Sequence, residues 1–393
     1  MNKKVLKILI ILAIVALIIY FIRLIFIPKL SPLENNIPTS TSNVAPSGVT
    51  SSENQEGGIS PTATSSLSTI PYPILTKISD HNVLNYWFDL NSKKIKYVSD
   101  DGKVWDTVSL PNQELSSQSI NGINQIIPST DGSKVLISYL TNTGLNWLIY
   151  NSQDDSITPL PQEITNATWA ESNSKIIAVI KNANNFSLGL IDLNKSLLLP
   201  DILLKNFNPL DATLKFVPPS NLYIIDKPSA IVPSGLMVLD IKKLTLNQIL
   251  KKQNGLFIKP TDDGNLIFYS QGLKLNVLNL NTLNTASIPL NTLANKCNLS
   301  TSASSTSILC FATNFMDFSI SIDNYLQKAI YSTDVLYNYD LETYNVNSLL
   351  ISNSKVIPPI DATEVRKIEE HIYFINRYDN SLYRLTLPNT INQ

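Results

Sequence analysis

Residues 129–139 read Ser-Thr-Asp-Gly-Ser-Lys-Val-Leu-Ile-Ser-Tyr, and residues 147–150 read Trp-Leu-Ile-Tyr. Asp-Gly supplies the positive φ angle that a tight hairpin needs, and the β-branched and aromatic runs on either side are typical of strands. Residues 261–269, Thr-Asp-Asp-Gly-Asn-Leu-Ile-Phe-Tyr, repeat this arrangement further along the chain. The two stretches indicate a repeated β-unit.

The unit recurs with a period of about 46 residues, and each copy has strands separated by short turns. The first strands of the copies are predicted at residues 86–88, 123–127, 167–169, 214–217, 256–259, 297–299 and 365–368. Periods of about 40–50 residues with four strands in each are typical of a β-propeller. The predicted fold is therefore all-β, a seven-bladed propeller of four-stranded antiparallel blades over residues 71–393. Six or eight blades are alternatives, because the first and sixth copies are irregular.

The last copy ends after its third strand, so its blade needs a fourth strand from elsewhere in the chain. Residues 73–78, Pro-Ile-Leu-Thr-Lys-Ile, precede the first copy and resemble an outer strand. We expect this segment to complete the last blade, which would join the two ends of the ring and remove a free sheet edge.

The repeat at residues 129–150 resembles that of TolB-type and WD40-like propellers, and the amino-terminal propeller of dipeptidyl peptidases is built from similar units. The whole layout resembles membrane-anchored bacterial propellers of unknown function. The resemblance covers about residues 72–388 and implies a fold, not an activity. The chain departs from the Ser-Pro-Asp-Gly pattern at residues 170–173, Ala-Glu-Ser-Asn, and at residues 218–220, Pro-Pro-Ser.

An apolar stretch at residues 5–27 contains a run, residues 8–22, without any charge. Because a bilayer core needs about 20 apolar residues in a helix, residues 1–30 are predicted to form an uncleaved transmembrane anchor. Lys3, Lys4 and Lys7 precede the run and favour a cytoplasmic amino terminus. A cleaved signal peptide is the alternative, although no Ala-x-Ala site follows the run.

Residues 31–70 contain 16 Ser or Thr, four Pro and no Lys or Arg. Such a segment has too little apolar surface to offset the entropy lost on ordering, so it is predicted to be a disordered linker. Together with the anchor it predicts a single-pass membrane protein whose propeller lies outside the cytoplasm.

The composition of the remaining residues argues against several classes of function. Removing the five basic residues of 1–30 and the three acidic residues of 31–70 leaves 25 basic and 28 acidic residues, which is no electrostatic footprint for nucleic acid. No Gly-x-Ser-x-Gly motif is present, and only His81 and His371 could act as imidazole bases. His371 lies in a strand pattern, which favours a structural role. No catalytic residue is assigned and hydrolysis by a serine mechanism is disfavoured.

No metal or cofactor is predicted, because the chain has no His-Glu-x-x-His, Cys-x-x-Cys or Asp-x-Asp-x-Asp-Gly motif. Asp-Asp-Gly at residues 100–102 and 262–264 could coordinate calcium loosely, but both lie where a hairpin needs positive φ angles. Trp87, Trp105, Trp147 and Trp169 are expected to pack between blades, with Trp105 and Trp147 as candidates for exposure.

The two cysteines, Cys297 and Cys310, are predicted on neighbouring strands. Outside the cytoplasm such a pair can form a disulfide, and two buried thiols are the alternative.

Two insertions interrupt the repeat between second and third strands, at residues 227–234 of the fourth copy and 312–331 of the sixth. Loops at this position emerge on one face of a propeller, so both are expected near the same rim. Long apolar loops in compact repeats are often functional. The candidate partner-binding residues are Ile231, Pro233, Phe315, Phe318, Tyr325, Leu326 and Tyr331. The alternative is that the aromatic residues fold over their own blade and plug the channel.

These patterns favour a protein-interaction or envelope-recognition scaffold without catalysis, bound to the membrane through its amino-terminal helix. The alternative is an enzyme acting on envelope polysaccharide or peptidoglycan with Asp317, Asp323 and Asp334 near the channel. A purely structural envelope protein is a third reading. Clustered carboxylates in the channel would favour the enzyme, and an apolar or plugged channel would favour binding.

Overall fold

Seven antiparallel sheets of four strands each make up the computed structural model, which describes residues 74–170, 173–183, 185–209, 211–301, 306–313, 322–350 and 357–387. This confirms the predicted all-β, seven-bladed propeller. The predicted anchor and linker lie outside the described residues. Among the described residues there is no helix of the length and apolarity needed to cross a bilayer.

The strands follow the chain blade by blade. Blade 1 consists of β2 (Val83–Asp89), β3 (Lys94–Ser99), β4 (Val104–Asp106) and β5 (Gln113–Glu114). Blade 2 consists of β6 (Ile123–Pro128), β7 (Lys134–Thr141), β8 (Gly144–Asn151) and β9 (Ser156–Pro159). Blade 3 consists of β10 (Ile164–Trp169), β11 (Lys175–Asn182), β12 (Asn185–Asp192) and β13 (Asp201–Lys205). Blades 4 and 5 are formed by β14 (Ala212–Val217), β15 (Asn221–Asp226), β16 (Ser234–Asp240) and β17 (Thr245–Gln253), and by β18 (Leu256–Pro260), β19 (Leu266–Gln271), β20 (Lys274–Asn279) and β21 (Thr285–Asn291).

Blades 6 and 7 complete the ring. They are formed by β22 (Cys297–Thr301), β23 (Thr306–Thr313), β24 (Asp334–Asp340) and β25 (Val346–Leu350), and by β26 (Ala362–Ile368), β27 (His371–Asn376), β28 (Ser381–Thr386) and β1 (Ile74–Lys77). A 3₁₀ turn, Ala294–Lys296, precedes β22, and the short helix α1, Ile322–Leu326, lies in the insert of blade 6.

The ring closes through β1, which pairs antiparallel with β28 as the outermost strand of blade 7. Ile74 lies opposite Thr386 and Lys77 lies opposite Tyr383. Leu75 packs against the cluster that includes Leu385. The expectation that residues 73–78 complete the last blade is confirmed.

Each blade exposes two kinds of loop at its opposite ends. Loops from second to third strands and connections between blades lie on one face, here called the insert face. Turns from first to second and from third to fourth strands lie on the other, here called the turn face. The turns of blade 5 meet there, because Leu280 donates its backbone N–H to the Asn265 carbonyl at 2.9 Å.

Hydrophobic clusters fill the interface between each pair of neighbouring blades among the described residues. The cluster that joins blade 7 to blade 1 includes Tyr86 and Tyr373. Alternate residues on each strand face the two neighbouring blades, so the centre of every second strand is buried on both sides.

The Asp-Gly turn of residues 131–132 in blade 2 packs closely against blade 1. Gly132 has φ +71°, and a Cβ there would lie 2.1 Å from the Phe88 carbonyl oxygen of blade 1. The Trp87 indole donates to the Gly132 carbonyl at 2.9 Å. Asp131 Oδ1 accepts from the Ser133 backbone N–H at 3.0 Å, so this carboxylate serves the turn. Glycine is required both for its backbone angle and for the close approach of the neighbouring blade.

One strand boundary predicted from the sequence is wrong. The apolar residues of 104–110 predict the third strand of blade 1 over that range, but the strand ends at Asp106. Asp106 Oδ1 accepts the Val108 N–H at 2.8 Å, and the chain turns there. Trp147 is buried between blades 2 and 3, which confirms the expected packing and not the alternative of an exposed ring. Trp105 is half-buried and stacks on His81 with ring centroids 3.8 Å apart.

The two cysteines lie directly opposite each other on β22 and β23 and are joined by a disulfide. Both are fully buried among residues of blades 5 and 6. His371 accepts or donates a hydrogen bond at 3.1 Å to Thr386 Oγ1 on the adjacent strand, in line with a structural role.

Candidate binding face

The insert of blade 6 is fixed to the propeller through Tyr325. This side chain is only 4% exposed, and its hydroxyl donates to Asp361 Oδ1 at 3.0 Å. The Arg377 guanidinium lies 3.8 Å from the ring centroid and also donates to the Tyr325 carbonyl. Tyr325 was expected on a partner-binding surface, but its ring fills a polar site between blades 6 and 7.

Tyr325 caps a group of buried charges, here called the Lys296 cluster: Lys296, Ser332, Asp334, Asp361 and Arg377. Lys296 Nζ donates to Ser332 Oγ at 2.6 Å, Asp334 Oδ2 at 2.6 Å and Asp361 Oδ1 at 2.7 Å. Arg377 Nη1 donates to Asp361 Oδ2 at 2.7 Å. The charges of two cations and two carboxylates therefore compensate one another within the protein. The ion pairs between them hold the buried side chains in one geometry.

Burial and charge act in opposite directions on these groups. Burial alone would raise the pKa of Asp361, but Lys296 and Arg377 outweigh it and hold that pKa below its usual range. For Asp334 burial wins over the attraction of Lys296, and the pKa is raised. Burial raises the pKa of Tyr325 to about 12, so its hydroxyl remains a proton donor at neutral pH.

The insert of blade 4 reaches the insert of blade 6. Ala230 donates its backbone N–H to Asp323 Oδ1 of helix α1 at 2.9 Å. Ser229 supports the loop from below, because its carbonyl accepts from the Gly255 N–H at 2.7 Å and its hydroxyl accepts from the Ile231 N–H at 3.2 Å. The two insertions therefore share one rim, as the sequence predicts, and contact each other across blade 5.

Beside this contact the inserts present apolar side chains to solvent. Ile231 is 80% exposed and Val232 is 63% exposed. Tyr331 stacks on Tyr378, with ring centroids 5.0 Å apart, and both rings are exposed along one side. The exposed apolar and aromatic residues of these loops, here called the insert patch, are Ile231, Val232, Pro233, Leu326, Tyr331 and Tyr378.

The structure brings together four of the seven predicted binding residues, Ile231, Pro233, Leu326 and Tyr331, on the insert face. Phe315 and Phe318 lie outside the described residues. Sequence analysis missed Tyr378, which lies between the second and third strands of blade 7, the same position as the two insertions. Its place in that turn is the signal that could have identified it.

The carboxylates considered for catalysis are occupied by structural contacts. Asp323 accepts from the Ala230 N–H, and Asp334 is held by Lys296. Asp317 lies outside the described residues. The Asp334 carboxylate is fully buried and does not reach the channel.

Three of the inner strands, those of blades 4, 5 and 7, carry basic side chains. Lys215 lies on β14, Lys259 on β18 and Arg366 on β26. Lys259 Nζ donates to the carbonyls of Cys297 at 2.7 Å and Val365 at 3.0 Å, so its side chain reaches past blade 6 to blade 7. In the described part of the channel, Arg366 has an acidic neighbour on its own strand, the Glu364 carboxylate at 3.6 Å.

Burial lowers the pKa of Lys259 to about 8, with Arg366 adding to the effect and Glu364 opposing it. Between pH 8 and 10.5 the unfolded chain binds a proton that the folded chain does not. The free energy of unfolding of the wild type should therefore rise with pH in this window relative to that of Lys259→Met. The unfolding equilibrium constant of the wild type should fall by up to about tenfold per pH unit relative to that of the variant. Urea unfolding of both proteins across the window measures this. A difference that does not change with pH would contradict the lowered pKa of the amine.

No protein-family model matches the sequence, and no curated protein matches it either. Several solved structures are similar in fold. Oligogalacturonate lyase in complex with manganese matches with a TM-score of 0.51 at 12% identity, covering 81% of this chain and 92% of that one. The β-propeller domain of Cps50 (Swd1) from Myceliophteria thermophila matches with a TM-score of 0.50 at 11% identity, covering 80% of this chain and 100% of that one.

The tricorn protease matches with a TM-score of 0.50 at 12% identity, covering 81% of this chain. The chain spans only 34% of the tricorn protease chain. The three similar proteins differ in what their names describe, a lyase, a protease and a propeller domain. At 11–12% identity they share with this chain the β-propeller fold and nothing more specific.

Proposed function

We propose that this protein is a membrane-anchored scaffold that displays a propeller outside the cytoplasm and binds a protein or envelope component through its insert patch. The observation that carries the proposal is the contact between Ala230 and Asp323, which joins two insertions into one surface. A loop with exposed Ile231 and Val232 side chains at its tip leaves apolar area in water that a partner would cover.

The Lys296 cluster supports this role, because it holds the insert of blade 6 in a defined position. A preorganised surface loses less conformational entropy when it binds than a mobile loop does. Aromatic residues such as Tyr331 and Tyr378 are common at the centres of protein interfaces.

The disulfide between Cys297 and Cys310 supports display outside the cytoplasm, since disulfides persist in oxidising compartments. The anchor at residues 1–30, the linker at residues 31–70 and the TolB-type relationship remain predictions from the sequence.

The binding role is tested with Ile231→Asp combined with Val232→Asp. Chemical cross-linking in membranes of cells that produce the protein should give a discrete complex for the wild type. The double variant should reduce it at least about tenfold, because truncating central interface residues costs more than about 1.4 kcal/mol. The matched control is Leu140→Asp, an exposed leucine at the end of β7, next to the short turn between the second and third strands of blade 2 on the same face. No complex with the wild type, or equal complex from all three proteins, would contradict the proposal.

A further inference from the structure

A repeated turn joins the third and fourth strands of blades 4, 5 and 6 on the turn face. In each, an Asp or Asn at the end of the third strand accepts hydrogen bonds from backbone N–H groups two and three residues further on, with distances of 2.8–3.1 Å. The accepting side chains are those of Asp240, Asn279 and Asp340. The hydrogen bonds to this Asp or Asn side chain hold the turn in shape, so the residues after it are not needed for that purpose.

The residue at the fifth position of this turn has a left-handed backbone. It is Leu244 with φ +56° in blade 4, Leu283 with φ +58° in blade 5 and Tyr344 with φ +61° in blade 6. Blade 2 has Asp155 at the same position with φ +56°. Gly, Asn and Asp adopt this conformation most easily, and bulky side chains there cost free energy. Three consecutive blades therefore keep large apolar residues where the turn itself favours small polar ones.

These three side chains, here called the turn-face arc, point into solvent. Leu244 is 48% exposed, Leu283 is 69% exposed and Tyr344 is 71% exposed. Leu246 and Val346 extend the apolar surface onto the outer strands of blades 4 and 6. A left-handed backbone strained by an exposed apolar side chain does not stabilise the fold. It therefore indicates that the side chain makes a contact outside the folded domain.

The chain enters the propeller on this same face. Ile74, the first residue of β1, lies opposite Thr386 at the end of β28 that leads away from the insert face. The 73 residues before Ile74 include the apolar stretch at residues 5–27. The face that carries the turn-face arc is therefore the face on which the chain enters the propeller at Ile74.

We propose that the turn-face arc rests in the interfacial layer of a lipid bilayer, with Leu244 and Leu283 against the acyl boundary and Tyr344 at the headgroups. Tyrosine is enriched at this depth, because its ring is apolar and its hydroxyl remains hydrated. Peripheral binding of this kind depends on buried apolar area. The turn of blade 5 has no charged residue between Asn279 and Thr285 that would resist the contact. The insert face is then turned toward the surroundings. This inference rests on the proposed anchor at residues 1–30 and not on what binds to the insert face.

The test places a nitroxide spin label on the full chain, reconstituted in vesicles of phosphatidylethanolamine and phosphatidylglycerol. Single cysteines replace Leu246 next to the arc or Ile231 on the insert face, and the native cysteines are protected in their disulfide. Power saturation compares collisions with oxygen, which concentrates in the bilayer, and with a water-soluble nickel chelate. A label at position 246 is expected to favour oxygen, whereas a label at position 231 is expected to favour the nickel chelate.

A second variant separates membrane contact from folding. Leu244→Asn, Leu283→Asn and Tyr344→Asn together are expected to leave the unfolding midpoint unchanged or higher, since Asn tolerates the left-handed backbone. The same three changes should turn the label at position 246 from oxygen-accessible to nickel-accessible.

Nickel access at position 246 in the otherwise native chain would overturn the proposal. So would protection from both reagents, because a second protein copy would then cover the arc. Oxygen access that persists in the Asn variant would show that the arc makes no contact of its own, and would also overturn it.

Discussion

Replacing Lys296 by methionine is expected to lower the free energy of unfolding by about 3–5 kcal/mol at neutral pH. Lys296 Nζ lies between Asp334 Oδ2 and Asp361 Oδ1, at 2.6 and 2.7 Å, and all three side chains are buried. Methionine fills a similar volume but leaves Asp334 without a cation, while Asp361 keeps only Arg377. Denaturant unfolding of both proteins at pH 7 measures the loss.

A matched control is Lys195→Met, which removes an exposed ion pair with Asp201 at 3.1 Å and should change stability by less than about 1 kcal/mol. The deficit of the Lys296 variant should also shrink as the pH falls toward about 4. Burial already raises the folded-state pKa of Asp334, and loss of the ammonium raises it further above the unfolded value. The folded variant therefore takes up this proton at a higher pH than the wild type does, and gains stability relative to it as the pH falls. Equal midpoints for Lys296→Met and Lys195→Met would contradict the structural role of the cluster.

Removing residues 1–77 is expected to destabilise the propeller by about 3 kcal/mol or more, because β1 is lost from blade 7. Four residue pairs with β28 disappear, and Leu75 no longer packs against the cluster between blades 6 and 7. The free edge of β28 then becomes a template for association with other chains. Thermal unfolding and light scattering report the two effects.

The control for ring closure is a chain that lacks residues 1–70 and keeps β1. It should unfold at the same temperature as the full-length protein and remain monodisperse, since none of the described contacts is removed. Equal behaviour of the two truncated chains would show that β1 does not close the ring.

The blade count could be predicted because each strand is marked by a short apolar run with a turn beside it. These runs and turns recur along the chain, so the number of copies gives the number of blades. The closing strand could also be predicted, since the last copy has three strands and residues 73–78 have no partner of their own. Residues 104–110 misled the strand prediction, because the turn at Asp106 depends on a side-chain hydrogen bond and not on hydrophobic pattern.

The Lys296 cluster could not be predicted. Its members are scattered along the chain, with Lys296 and Asp361 separated by 65 residues, and only the adjacency of blades 6 and 7 brings them together. For the same reason Tyr325 was expected at the surface: a tyrosine in a long insertion looks exposed until its partners Asp361 and Arg377 are known. The turn-face arc could not be predicted, because it depends on a positive φ angle that leucine and tyrosine rarely adopt.

Site-specific photo-cross-linking tests the central claim, that the insert patch is where a partner binds. A benzophenone amino acid is placed at Ile231 in one strain and at Leu140 in another, and both are illuminated in intact cells. We predict a discrete adduct from position 231 and none from position 140, because only Ile231 belongs to the surface that the two insertions build together. No adduct from position 231, or the same adducts from both positions, would contradict the account.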